Sequence, residues 1–233
     1  MLSIERVLLR QHVEAVWGVQ LLLLVNDDYE LLFTGFQPSW QLYAADIAGT
    51  RISIWRPDVS RSEREELRQH VDEALDFSSP LEPSTGISRE VALSFTAFPT
   101  LDLEAARLVA RPLTLQDYPL LKLFQPDAPS GLLDSAKRPL VGVIESDRLL
   151  CLAHSSRRTS AACELGIDTL PTARRKGYAL AATVVWTHLI LQEGLVPLYS
   201  AFAENTASLH LAEKAGYRAF ARGATFEIER HQL

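Results

Sequence analysis

Apolar and polar positions follow two different rhythms along the chain. In the first hundred residues, Ile4, Val7, Leu8 and Val16 recur at roughly helical spacing behind Ser3, a capping residue, and Gly18 ends that helix. Residues 21–25 and 30–34 flank Asn26-Asp27-Asp28 and predict a hairpin; residues 41–45 and 51–55, around Gly49, predict a second. Across residues 60–77, Leu67, Val71 and Leu75 form one stripe while Glu63, Glu65 and Arg68 face water, the pattern of an amphipathic helix. The prolines, glycine and serines of residues 78–88 predict a loop or linker, and residues 91–98 alternate weakly as a strand.

From about Leu103 the rhythm changes. Residues 108–111 read as a strand before Pro112, and Thr114 with Asp117 resembles a capping box ahead of a helix at 115–124. Residues 127–131 form a turn-rich loop. Strands are predicted at 140–144, 148–154 and 161–169, antiparallel neighbours because their connections are too short for a crossover helix. Residues 177–193 make a helix apolar on nearly every side (Leu180, Val184, Val185, Trp186, Leu189, Ile190), so it should be buried against a sheet until Gly194 stops it. Pro197 lies inside the next strand, 195–203, and withdraws one ladder donor, so pairing there is broken or one-sided. Asn205 or Thr206 caps a short helix ending at Gly216, and 218–229 is the last strand. The order predicts an α/β fold, an α+β mixed sheet, with an α+β accessory domain at 1–100 and a second domain at 105–233.

Composition narrows the picture. The 233 residues, 47% hydrophobic and 22% charged, are those of an ordinary soluble globular protein with room for one large domain or two small ones. A net charge of −6 argues against a general nucleic-acid binder. Cys151 and Cys163 cannot form a disulfide framework and lack metal-ligand spacing, so no metal is expected. They adjoin the same predicted hairpin and could face each other across it as thiols. The apolar run at 21–25 is too short to span a bilayer, and no leader-like stretch opens the chain; the expectation is a cytoplasmic protein with no membrane partner. Trp17, Trp40 and Trp55 are expected to pack rather than bind.

Against that acidic background, residues 168–180 stand apart. Arg174, Arg175 and Lys176 sit where the long helix begins, the end its macrodipole already makes positive. Each cation there costs about 0.3–1 kcal/mol unless an anion is also present. Gly177 and Ala179 let a ligand reach bare backbone N–H groups. Local contrast of this kind suits a small anionic ligand.

The run Thr169-Leu-Pro-Thr-Ala-Arg-Arg-Lys-Gly-Tyr-Ala179 resembles the Val-x-Pro-x-x-(Arg/Gln)-x-x-Gly-x-(Gly/Ala) of the GNAT superfamily of acyl-CoA-dependent N-acyltransferases, with Thr for the leading Val. Asn205-Thr-Ala-Ser208 and the following Lys214-Ala-Gly216-Tyr217 resemble that superfamily's Asn-capped helix closing on Lys-x-Gly-Phe/Tyr. The likeness runs over roughly residues 105–229 and leaves the N-terminal hundred uncovered. It implies acetyl-CoA as co-substrate, its pyrophosphate on Arg175, Lys176, Gly177, Ala179 and Leu180, with Arg174 as a charge or shaping residue. It further implies a sheet splayed beside the turn, strand-edge groups near Thr169 and Leu170 pairing with the pantetheine arm, and Asn205 and Ser208 as cofactor-side residues. Asn205 could equally serve as a helix cap, or do both.

The implied reaction is direct attack by a primary amine, of a small molecule or a peptide, on the thioester in a ternary complex. It needs a base for an amine that is mostly protonated at neutral pH, an oxyanion partner and a proton for the leaving thiolate. Glu164 is the expected base, with Asp168 on the same strand face. Many relatives carry an acid Tyr where this chain has Ala212, so Tyr199, Ser200 and His154 are the candidate substitutes. Ala153-His-Ser-Ser-Arg157 resembles an element of some members and marks His154, Ser156 and Arg157 as substrate-side. His188 and His210 are expected to be structural. A second reading, a CoA-binding regulatory or interaction module without chemistry, is motivated by Ala212 and the unassigned N-terminal unit. That unit is expected to wall the acceptor pocket or make a homodimer contact.

Overall fold

The computed structural model describes residues 3–23, 28–32, 37–81, 86–127 and 137–227. The parts of the predicted elements that fall at 24–27, 33–34, 82–85, 128–131 and 228–229 lie outside them. The chain forms two compact units that do not follow chain order: Met1–Leu93 with Ser200–Thr206 and Ala219–Leu233, and Ser94–Tyr199 with Ala207–Arg218.

In the first unit, helix α1 (Ile4–Trp17) starts on Ser3, whose side chain accepts from Arg6 N, and ends on Gly18 at φ 65°. Strands β1 (Leu21–Leu23) and β2 (Asp28–Leu31) pair antiparallel, as do β3 (Leu42–Ile47) and β4 (Thr50–Trp55), so both predicted hairpins form. β2 runs parallel to β4. The outer place beside β3 goes to β11 (Tyr217–Phe226), whose Arg222–Phe226 stretch pairs with Asp46–Leu42, giving the order β1-β2-β4-β3-β11. Alternation along β3 builds two cores: Tyr43, Ala45 and Ile47 pack with Leu9, Val13 and Trp40, while Leu42 and Ala44 pack with Trp55, Leu67 and Val71. Trp40 and Trp55 are fully buried, as expected of packing residues, and Arg64 and Arg68 stack on the Trp55 ring at 5.3 and 5.0 Å.

The helix predicted over 60–77 is broken into α2 (Arg61–Gln69) and α3 (Val71–Ala74), because the His70 N–H turns back to Leu67 O at 3.1 Å and tightens the turn. The carbonyls at the end of α3 are met by Arg89 of β5 (Ile87–Phe95), which is 7% exposed. Its guanidinium donates to Ala74 O at 2.5 Å, Glu73 O at 2.7 Å and Ser79 O at 2.5 Å, and lies 5.4 Å from the Phe77 ring. Arg89→Met keeps the stem but leaves these carbonyls unmet. Thermal unfolding should show a loss of about 3 kcal/mol, from charge-assisted bonds worth roughly 1.5–3 kcal/mol each that are only partly replaced by water.

In the second unit the strand expected at 108–111 is corrected. Residues Leu103–Val109 form helix α4, because Asp102 caps it by accepting from Ala105 N at 2.9 Å; only Arg111–Pro112 is extended, as β6. The strand expected at 91–98 is β5, which stops at Phe95 and leaves Phe98 almost fully exposed. The Thr114–Asp117 capping box is present, and a 3-10 turn, Leu115–Asp117, leads into α5 (Tyr118–Phe124). β7 (Val141–Glu145), β8 (Arg148–Arg158) and β9 (Ala162–Thr169) are antiparallel, and β10 (Val196–Phe202) joins parallel to β9, in the order β10-β9-β8-β7-β6. Helix α6 (Tyr178–Gln192) lies on β7, β8 and β9 with Ala181–Thr187 all buried, while α5 packs its Leu121 with Leu149 and Leu152 of β8. α7 (Thr206–Lys214) precedes β11.

Asp117 ties the start of α5 down: it accepts from both Arg111 Nη atoms at 2.8 and 2.6 Å and from Thr114 N at 2.8 Å. These bonds, the Arg111 one first, draw its carboxyl from 3.8 to about 2. A depressed carboxylate stabilises the fold above its unfolded pKa, and that contribution fades as pH falls through the folded value. The stability difference between wild type and Asp117→Asn should therefore be full at pH 7 and shrink between about 4 and 2. Solvent around half-exposed Arg111 holds it to about 1–2 kcal/mol. Chemical denaturation across that range measures it.

Candidate active site

The site begins where β9 and β10 part. Their parallel ladder pairs Val196 with Ala162, Pro197 with Cys163 and Leu198 with Glu164, and stops there, although β9 runs on to Thr169. Leu170 N bonds Leu150 O at 2.9 Å, so alternation along the antiparallel β8–β9 pair turns the backbone groups of Ile167 and Thr169 away from β8, toward the opened side. Leu170 itself is committed: its N–H serves Leu150 and its carbonyl accepts from Ala173 N at 2.8 Å. The outward-facing edge groups, expected near Thr169 and Leu170, are those of Ile167 and Thr169. The Thr169 hydroxyl donates to the Cys151 thiol at 3.2 Å.

Glu164 stands at the fork, 4% exposed. Glu164, Gly166 and Asp168 share a strand face, with Asp168 in solvent. His154 pairs with Gly166, and its ring occupies the space a side chain at 166 would need: a Cβ there would lie 2.5 Å from Cε1 and 2.6 Å from Nε2. His154 is therefore an internal residue of β8, not the terminal one the sequence suggested. Burial, then the Lys137 charge, lowers its pKa against the opposing pull of Asp168, so the ring is neutral at pH 7. Ser156 is the extra residue of a bulge between Ser155 and Arg157. Its hydroxyl donates to Glu164 O at 3.1 Å, and its carbonyl accepts from Lys137 Nζ at 2.6 Å and Arg157 Nη1 at 2.9 Å. Lys137 escaped the sequence reading because it touches this group only through tertiary structure.

Tyr199, buried at 2%, reaches from β10 to α7, where its hydroxyl and the Ser208 hydroxyl are 2.8 Å apart. Burial raises the Tyr199 pKa, and the Glu164 charge adds to the rise. Ala212, one turn beyond Ser208 on α7, is fully buried. Tyr199 also meets Tyr217 edge-on at 5.5 Å, and Tyr217 shares a 2.6 Å hydrogen bond with Thr187 of α6. Ser200 and Asn205 fall in the first unit; Asn205 is exposed and its N–H bonds Phe202 O at 2.9 Å.

The turn into α6 is formed by a 3-10 segment, Pro171–Ala173, then Arg174, Arg175 at φ 63° and Gly177 at φ 82°. No side chain caps α6 and no acid lies in its first turn, while Arg174, Arg175, Lys176 and Gly177 are all exposed. A Cβ on Gly177 would meet nothing within 4 Å, so open space faces the helix start. Ala179 and Leu180 are half-buried in that first turn. Tyr178 anchors it: its hydroxyl donates to Glu145 at the end of β7, and Lys176 Nζ lies 5.7 Å from its ring. That link, between residues 33 apart in sequence, has no local signature. Uncapped N–H groups, convergent cations and a small residue at the approach fit a diphosphate.

The cysteines do not face each other. Cys151 pairs with Thr169 and Cys163 with Arg158, at opposite ends of the β8–β9 pair, because the hairpin turns between residues 158 and 162. Both are free, buried thiols, pushed by burial up to about 11. His188 is half-buried in α6 and His210 is exposed on α7.

Comparison with known proteins agrees with this geometry. Residues 141–222 match the family model described as GNAT acetyltransferase. No curated protein matches the chain. Among solved structures, the fold is similar to a GCN5-related N-acetyltransferase from Kribbella flavida, with 14% identity and a TM-score of 0.53 over 99% of this chain and 98% of that one. It is also similar to an acetyltransferase from the GNAT family from Colwellia psychrerythraea, with 14% identity and a TM-score of 0.52 over 76% of each chain. At such identities the likeness is one of fold. No helix among the described residues is long and apolar enough to cross a membrane. Residues 141–222, which span the β9–β10 fork and the cationic start of α6, are thus similar to the GNAT acetyltransferase family, and the fold is that of its solved members.

Proposed function

We infer that the chain transfers an acetyl group from acetyl-CoA to a primary amine of a small molecule or peptide, by direct attack in a ternary complex. The observation that carries this reading is the buried Glu164 carboxylate at the point where the β9–β10 ladder ends. Arg174, Arg175, Lys176, Gly177, Ala179 and Leu180 would hold the pyrophosphate, and the edge groups of Ile167 and Thr169 would pair with the amide-bearing arm. Bound there, acetyl-CoA supplies an activated acetyl thioester. Glu164, as base, takes the proton that an acceptor ammonium must lose. His154, neutral and packed over Gly166, shapes the same face without adding charge.

Tyr199 supplies the acid. Its raised pKa keeps Oη protonated at working pH, and Ser208 fixes its direction toward the helix on which relatives carry their own acid. The hydroxyl thus reaches from β10 to α7, the helix that carries Ala212. Ser208 accordingly acts as a positioning residue, while Ser200 stays a catalytic candidate and Asn205 a cofactor-side one. Tyr199→Phe should lower kcat about 10- to 100-fold with little change in KM, since general acid catalysis contributes about 10²–10⁴-fold and a thiol leaves tolerably without help. Release of free CoA thiol over a panel of amines tests the reading as a whole. Tight acetyl-CoA binding that no amine converts into thiol release would favour a regulatory CoA-binding module instead.

A further inference from the structure

The second unit holds a cavity of about 560 Å³, none of whose lining residues is among those proposed for acetyl transfer or for holding CoA. Val184, Thr187, His188 and Leu191 line one side of it, a stripe at helical spacing on the C-terminal half of α6. Phe95 and Leu103 close the other side. Volumes of this order hold a drug-sized molecule.

The walls are fixed rather than slack. Thr187 shares its hydrogen bond with Tyr217, and Phe95 meets the Tyr217 ring edge-on at 5.8 Å. Gly216 is packed so closely that a Cβ would lie 2.2 Å from Ala97 O and 2.8 Å from the Phe95 ring. Phe98, 97% exposed, stands on the rim as a large aromatic ring without packing of its own.

Three polar side chains interrupt this apolar lining: Thr187, whose hydroxyl is engaged with Tyr217, and Asp102 and His188. Asp102, an exposed residue of the lining, is oriented by its capping bond, in which Oδ1 accepts from Ala105 N, and it brings the one formal charge among the lining residues. An apolar cavity carrying a single carboxylate and an imidazole selects a hydrophobic cation over a neutral molecule, and a neutral molecule over an acid. A rim aromatic adds cation–π attraction of the same sign.

We propose that this cavity is a binding site for a lipophilic amine, with its alkyl or aryl body against Val184, Leu191 and Phe95 and its ammonium group on Asp102. The site lies apart from the acetyl-transfer machinery, so an amine there is a second ligand and not the acceptor.

Calorimetric titration of the full chain with 4-phenylbutylamine, 4-phenylbutanol and 4-phenylbutyrate tests this. The amine should bind best and the carboxylate at least about tenfold more weakly, a charge-assisted hydrogen bond being worth roughly one decade in affinity. Asp102→Asn keeps the helix cap, since Asn caps as well as Asp, and should weaken the amine about tenfold while leaving the alcohol unchanged. Leu191→Trp, on a half-exposed helical position, should fill the cavity and abolish binding of both. Glu164→Gln should leave amine binding intact, which separates this site from the acceptor site. Absence of amine binding, equal binding of amine and carboxylate, or loss of binding in Glu164→Gln with retention in Leu191→Trp would overturn the proposal.

Discussion

Replacing Glu164 with Gln lowers kcat by about 10²–10⁴-fold, the range general base catalysis contributes, and leaves acetyl-CoA affinity unchanged. The substitution is nearly isosteric, so the packing around a residue 4% exposed is kept while its capacity to take a proton is removed. Glu164 lies at the end of the part of β9 that pairs with β10, and the residues proposed for the pyrophosphate lie beyond β9, in the turn and first turn of α6. Binding and chemistry are thereby separable. Steady-state CoA thiol release gives the rate and direct titration gives the affinity. A variant with wild-type kcat would remove Glu164 from the mechanism, and Asp168, exposed on the same face, would become the first alternative.

Gly177→Asn reduces acetyl-CoA affinity by at least about 100-fold while shifting the unfolding temperature only a few degrees. Most side chains at φ 82° would confuse two effects, backbone strain of about 1–2 kcal/mol and obstruction of the ligand. Asn visits the left-handed region readily, so it isolates obstruction. The open space above Gly177 means that the new side chain meets ligand and not protein. Retained affinity in a folded Gly177→Asn protein would mean that phosphate does not approach α6 over this residue.

The sequence disclosed what local periodicity and short runs encode. α6 was legible because its apolar residues fill every side and Gly194 ends it, and both N-terminal hairpins were legible from their turns. The cationic turn was legible because six adjacent residues carry it. Residues 108–111 were misread because a short apolar run, Leu108-Val109-Ala110, stands just before Pro112; the Asp102 cap, six residues before Leu108, decided for helix. The break at His70 had no signal in the stripe of Leu67, Val71 and Leu75. Nothing near residues 222–226 announces pairing with residues 42–46, a contact across most of the chain. The same limit hid the partners inside the site. Tyr199 was a candidate by position, yet only folding brings Ser208 to its hydroxyl, and only the register of β8 against β9 sets His154 over Gly166.

One consequence of the β9–β10 fork concerns the protein at rest. A strand whose outward N–H and C=O groups find no ladder is an open sheet edge, the feature that elsewhere templates pairing with foreign chains. On the proposed reading, the amide-bearing arm of acetyl-CoA is the missing strand beside Ile167 and Thr169. The co-substrate then works as a removable piece of the sheet as well as an acetyl donor. By mass action, the stability of this edge follows acetyl-CoA supply.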